Sequence, residues 1–209
     1  MVFELTRDEF RTDLDRSLEA LDACGVRPRG YRAPSFTITP PVHEYLEVLR
    51  ECRFGYDCSV FPVRHPRYGQ PGSPRRAFLL EPAGSATAGE APFVVVPMPT
   101  WRVAGVNLPF SGGGYMRLLP GWVYRAVRAG ARRQGMPSVI YLHPWELDDF
   151  RPVTGQGLVG RWRSQVGQGS MGGKLEELLR RGRFRTLGGH VDDLLASDTL
   201  PRRCLPLSY

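Results

Sequence analysis

Four histidines, His43, His65, His143 and His190, are this chain's candidates for proton transfer and metal ligation. No two stand four residues apart, so no helix face pairs two imidazoles around a metal. The cysteines Cys24, Cys52, Cys58 and Cys204 contain no C-x-x-C pair. That spacing points to free thiols in a reducing compartment rather than to a zinc site. Ser35 lacks the setting of a nucleophile elbow, and no Ser-His-Asp constellation is evident. Ser111-Gly112-Gly113-Gly114-Tyr115 is glycine-rich. It lacks the Lys-Ser/Thr and strand–helix context of a phosphate loop, and reads as a flexible structural loop. Two segments are better placed for chemistry, because catalytic groups of α/β barrels sit at strand ends. His143 directly follows the apolar run Val139-Ile140-Tyr141-Leu142, and Arg32 lies in Gly30-Tyr31-Arg32-Ala33-Pro34-Ser35-Phe36. His143 in that place either transfers protons or merely caps the strand. Of Trp101, Trp122, Trp145 and Trp162, Trp145 stands just after the strand-ending His143, while Trp122 falls at helical core spacing.

The elements that must hold these residues alternate. Thr6 and Glu9 fit a capping box, with Phe10, Leu14, Leu18 and Leu21 along one helix face and Gly25 as the stop. Gly30 to Pro34 reads as a short strand entering a loop. A second helix starts with Thr39 as cap and Pro40 in the first turn, burying Val42, Tyr45, Leu46 and Leu49 and turning His43 to solvent. Phe54 to Phe61 is a second strand and loop. Residues 62–92 form a long proline-rich loop with a hairpin around Phe78-Leu79-Leu80, and Phe93 to Val96 is a buried strand. Pro120 opens a helix through about Arg133, with Trp122, Ala126 and Ala129 on one face. Leu175, Leu178 and Leu179 suggest a helix, Phe184 to Leu187 a last strand, and 197–209 a loose tail. Asp148-Asp149 falls in a turn, Asp192-Asp193 at a helix start, and His65 and His190 at the surface. Helices alternating with short apolar strands give an α/β fold with parallel strands.

The chain has 209 residues, with 42% hydrophobic and 23% charged, which excludes a disordered chain, a collagen repeat and a coiled coil. No apolar run approaches a membrane span, and Met1 to Phe10 has no secretory h-region. A cytoplasmic location is therefore expected. The formal net charge is +7, and Lys174 is the single lysine among 28 basic residues. The arginines are scattered rather than interleaved with stacking aromatics, so nucleic-acid binding is not expected. Attraction to an acidic polysaccharide stays open.

Taken in order, these motifs resemble the polysaccharide deacetylase (NodB-homology) family. Gly30 to Phe36 matches its arginine-proline motif and Leu142-His143 its late leucine-histidine motif. The resemblance is closest to the exosortase-associated (PEP-CTERM locus) branch, through Tyr56-Asp57-Cys58-Ser59-Val60-Phe61-Pro62, Leu108 to Tyr115, and Tyr141 to Leu147. It spans about residues 1–187. It implies a deformed (β/α) barrel, incomplete here, with a C-terminal extension. The deacetylase part would be residues 1–150, with a loop-rich insertion at 62–120, and the extension and tail 151–209. It implies metal-dependent hydrolysis of N-acetyl groups on an exopolysaccharide. In that reading His143 is the general acid, Arg32 holds the base carboxylate, Leu142 lines the acetyl pocket and Pro34 shapes the groove. Trp145, Tyr31 and Asp57 complete the substrate side.

The resemblance also implies a divalent metal, zinc or similar, held by an Asp-Asp pair and a His-x-x-x-His pair ahead of the arginine motif. Neither motif precedes Thr6. The chain is thus expected to lack roughly two βα units of the family, on the order of 60–80 residues. It is expected to bind no metal and to be inactive by itself. The alternatives are a non-catalytic carbohydrate-binding or interaction module, or a gene fragment.

Overall fold

A computed structural model describes residues 1–81, 91–148 and 166–205. The chain divides into two units, Met1–Met98 with Thr186–Tyr209, and Pro99–Arg185.

In the first unit, helix α1 (Arg7–Asp22) starts at its expected cap. Thr6 Oγ1 accepts from the Glu9 amide, and Glu9 Oε2 accepts from the Thr6 amide at 2.8 Å. These two bonds satisfy donors that a first turn otherwise leaves open. Phe10 and Leu14 are buried, Leu18 half-buried and Leu21 exposed, so the apolar stripe fades toward the C-terminal end. Gly25 stops the helix at φ 71°, a left-handed turn that a β-carbon would strain.

Five short strands form one open sheet in the order β1 (Gly30–Tyr31), β2 (Tyr56–Asp57), β4 (Val94–Val95), β3 (Phe78–Leu80) and β7 (Arg202–Arg203). Strands β1, β2 and β4 run parallel, β3 runs antiparallel to β4, and β7 runs parallel to β3. Helix α2 (Tyr45–Glu51) lies in the crossover that a parallel β1–β2 pair requires. Phe10 stacks on Tyr45 at 5.0 Å between ring centroids and meets Tyr31 edge-on. Leu46, Leu49, Val60, Phe93 and Val95 complete that core. The mixed α/β class with parallel strands is as expected; among the described residues the sheet is not a closed barrel.

Several local expectations are corrected. Pro40–Val42 make a lone 3-10 turn closed by Val42 N on Thr39 O, and the α-helix begins only at Tyr45. Two successive prolines leave that turn without two amide donors. His43 is 2% exposed, not solvent-facing, because Gln70 reaches it from the proline-rich segment. The supposed tail supplies β7, whose Arg202 registers with Leu79. Phe184 to Leu187 is no strand; Thr186 caps α6 (Leu187–Ala196) by accepting from Gly189 N, and Asp192-Asp193 fall inside that helix.

In the second unit, β5 (Thr100–Val103) and β6 (Val106–Pro109) form a hairpin that the sequence reading missed. Ala104 and Gly105, at φ 47° and 82°, provide the tight turn with two left-handed residues. Three helices follow: α3 (Gly113–Leu118), α4 (Gly121–Arg133) and α5 (Met171–Arg181). Helix α3 replaces the expected flexible loop. On α4 the buried positions are Tyr124 and Ala131, while Trp122 is 69% exposed, so its helical spacing marks the outer face. Val139 to Leu142 forms no strand beyond one bridge between Tyr141 and Gly112. Ile140 and Leu142 pack instead on Met116, Tyr124, Met171 and Leu178, which come from helices, so no neighbouring strand is there to pair. Among the described residues, no helix is long and apolar enough to cross a membrane.

Candidate functional site

The residues singled out for chemistry fall into both units. Tyr31, Arg32, Pro34 and Asp57 belong to the first; Leu142, His143 and Trp145 belong to the second.

In the first unit, parallel pairing brings the ends of β1 and β2 side by side, with Cys58 N donating to Tyr31 O at 2.9 Å. Asp57 is completely buried at the end of β2. Its carboxyl accepts from Ser59 N at 2.8 Å and from Ser59 Oγ. Ser59 Oγ in turn accepts from Ala33 N at 2.8 Å. A carboxyl and a hydroxyl thus tie the arginine-proline segment to the neighbouring strand. Burial pushes the Asp57 pKa up to about 7, against the downward pull of the Ser59 and Cys58 bonds. Burial likewise pushes the Tyr31 hydroxyl well above its ordinary value and the Cys58 thiol up to about 12. Arg32 is exposed, and its positive charge reaches Cys58. Pro34 is exposed and opens a turn in which Ser35 and Phe36 adopt φ of 52° and 56°. Two successive non-glycine residues there are costly, and such strain clusters at binding segments. Phe36 is held by Phe61 and Tyr68, at ring distances of 5.1 and 5.7 Å.

In the second unit, His143 and Trp145 are both exposed, and their rings stack at 4.1 Å with 8° between planes. Tyr141 meets the imidazole edge-on at 6.0 Å. Leu142 is half-buried in the helical cluster. What fixes this segment is Glu146, which is 4% exposed. It accepts from His143 N at 2.9 Å and faces Arg117 Nε at 3.5 Å. Glycines at the start of α3 make the room: a Cβ on Gly113 would collide with the Glu146 carboxylate, and one on Gly112, the residue before the helix, would lie 2.6 Å from the Tyr141 hydroxyl. Glu146, Arg117 and Ser59 were missed as supports. Their signals were present, since Glu146 stands three residues after His143 and Ser59 two after Asp57, both local capping spacings.

The described residues do not assemble a metal centre. Among the described residues no three His, Cys, Asp or Glu side chains gather as ligands. His43 Nε2 donates to Gln70 Oε1 at 2.7 Å inside the core, where burial lowers its pKa, and His65 stacks on Tyr68 at 3.7 Å with its Nδ1 accepting from Arg67 N. All four cysteines are free thiols. Trp162 and Asp149 lie outside the described residues.

Residues 58–192 match the family model described as a domain of unknown function, DUF3473. The match spans well over half of the chain, which therefore belongs to this family, a domain typical of polysaccharide deacetylase-like proteins. It includes Leu142, His143, Trp145 and Glu146, while Tyr31, Arg32, Pro34 and Asp57 precede it. The chain matches no curated protein and no solved structure.

Proposed function

We propose that this chain supplies the substrate-binding and proton-donating side of a polysaccharide deacetylase-type hydrolase acting on an N-acetylated exopolysaccharide. Membership of a family typical of such proteins, with an exposed His143–Trp145 stack held from behind by a buried carboxylate, carries the reading. Hydrolysis breaks the amide C–N bond, and His143 protonates the departing amine nitrogen. Trp145 offers its open face to a sugar ring and orients the imidazole beside it. Leu142 lines the acetyl pocket. Arg32 holds a base carboxylate, and Tyr31, Pro34 and Asp57 shape and fix its segment.

Three finer assignments belong to the same proposal. Placement in the exosortase-associated branch rests on Tyr56 to Pro62, Leu108 to Tyr115 and Tyr141 to Leu147. A deformed barrel rests on the three parallel strands, with β1 at the edge of the sheet among the described residues. A cytoplasmic location rests on the four free thiols. A second reading, a carbohydrate-binding module without turnover, is served by the same exposed Trp145.

Acetate release from an N-acetylglucosamine oligomer, with Zn²⁺, Co²⁺ or Ni²⁺ supplied, tests the proposal. The 209-residue chain is expected to release none above background. A chain extended upstream by a segment with the Asp-Asp and His-x-x-x-His motifs is expected to turn over. His143→Ala in that longer chain should lower the rate by about 10²–10⁴-fold, the usual worth of general acid catalysis. Chelator-sensitive release by the 209-residue chain, or indifference of the longer chain to His143→Ala, would overturn the assignment. An extended chain that binds the oligomer without releasing acetate would favour the binding module.

A further inference from the structure

Helices α4 and α5 border a cavity of about 220 Å³ within the second unit. None of its lining residues belongs to the motifs used above, so it stands or falls independently of the deacetylase reading. Arg125, Arg128 and Arg132 project from α4 at helical spacing, Lys174 and Arg181 come from α5, and Glu177 is the one acid in the lining.

These cations are not equivalent. Arg125 and Arg181 share Glu177, at 3.0 and 3.2 Å. The Lys174 ammonium donates to the carbonyls of Met116, Arg117 and Leu119 at 2.9–3.2 Å and so closes the C-terminal end of α3. Arg128 and Arg132 face no acid among the described residues. The Arg128 Nε is shielded from solvent and has no hydrogen-bond partner there. The same holds for the hydroxyl of Tyr124, a residue 4% exposed that lines the cavity and lies within electrostatic reach of Arg128. Burial, and then repulsion from Arg132, hold the Arg128 pKa below that of an ordinary arginine.

A buried N–H and a buried O–H without acceptors are expensive to keep, as are two neighbouring guanidinium groups without a counter-charge. An anionic occupant removes the second of these costs. We propose that this cavity is an oxyanion site, taking a carboxylate or phosphate group that is held and neutralised by the guanidinium groups of Arg128 and Arg132. The volume is below the roughly 300–1,000 Å³ of sites for drug-sized molecules. It suits a small acid or one acidic group of a larger ligand, with Ala129 and Leu178 covering its apolar side. Two sources share this chemistry: an acidic sugar unit of a glycan, and a free phosphate or small phosphorylated molecule.

Calorimetric titration and thermal melting of the full 209-residue protein separate them. The probes are inorganic phosphate, galacturonate and a galacturonate trimer, against chloride at matched ionic strength and a neutral N-acetylglucosamine trimer. The acidic probes are expected to bind and to raise the melting temperature. Arg132→Gln, at an exposed position, should weaken binding by about tenfold or more, the scale of a lost charge-assisted bond. Arg128→Gln should weaken binding by a similar factor. Tighter binding of the trimer than of monomer and phosphate assigns the site to a glycan; phosphate binding tightest assigns it to a phosphate ligand. No stabilisation by any acidic probe beyond chloride, equal stabilisation by the neutral trimer, or undiminished binding by Arg132→Gln would overturn the proposal.

Discussion

Replacing Asp57 by Asn should flatten the dependence of stability on pH between about pH 4 and 7. Folding raises the pKa of this carboxyl from 3.8 to about 7, and burial is the main cause. Between those values the native protein keeps a proton that the unfolded chain has released. Protonation therefore favours the fold. The contribution is complete below the unfolded pKa and is lost as pH rises through the folded one, at about 1.4 kcal/mol per pH unit. Over the whole interval that amounts to about 4 kcal/mol. Asparagine is neutral throughout and can accept from Ser59 N while donating to Ser59 Oγ, so the tie to Ala33 is kept. His43 acts with the opposite sign: burial lowers its pKa, so its contribution is present above its ordinary value of 6.5 and lost below. Subtracting the variant's urea-denaturation curve from the parent's at each pH isolates Asp57. Identical slopes for the two proteins would mean that Asp57 is ionised in the fold and that a cation compensates it.

Glu146→Ala should be the most damaging single change near His143, at about 3–5 kcal/mol, the usual result of breaking a buried ion pair. The substitution leaves Arg117, whose side chain is 12% exposed, without the carboxylate that faces it. It also removes the acceptor of the His143 amide and opens a void over Gly113. Glu146→Gln keeps that acceptor and fills the void, and should cost clearly less. Chemical denaturation measures both. A loss below about 1 kcal/mol for Glu146→Ala would show that the pair is solvated and does not hold the segment.

Local signals were legible where local chemistry decides. The T-x-x-E pattern at Thr6 and the i, i+4 run from Phe10 placed α1, and the apolar block at Phe93 to Val96 placed β4. Val139 to Leu142 looked equally strand-like, but its apolar side chains answer to helices, and a strand needs another strand beside it. The hairpin at 100–109 turns on Ala104-Gly105, which lacks the Asn or Asp that usually announces such a turn. His43 was illegible for a different reason. Its partner, Gln70, is 27 residues away in a segment without periodicity. The site residues divide in the same way. The exposure of Trp145 followed from its place after an apolar run, whereas the role of Glu146 depends on Arg117 and Gly113, about thirty residues upstream.

The central claim is that His143 and Trp145 receive an N-acetylated sugar. The most direct measurement follows the imidazole signals of His143 and the indole N–H of Trp145 by NMR during titration of the 209-residue protein with an N-acetylglucosamine oligomer. The fully deacetylated oligomer serves as the control. Both residues are expected to shift together with the acetylated oligomer and much less with the control. Trp145→Ala is expected to weaken binding by about tenfold, equivalent to roughly 1.4 kcal/mol. Silent His143 and Trp145 signals at saturating oligomer, or equal shifts with the deacetylated control, would contradict that claim.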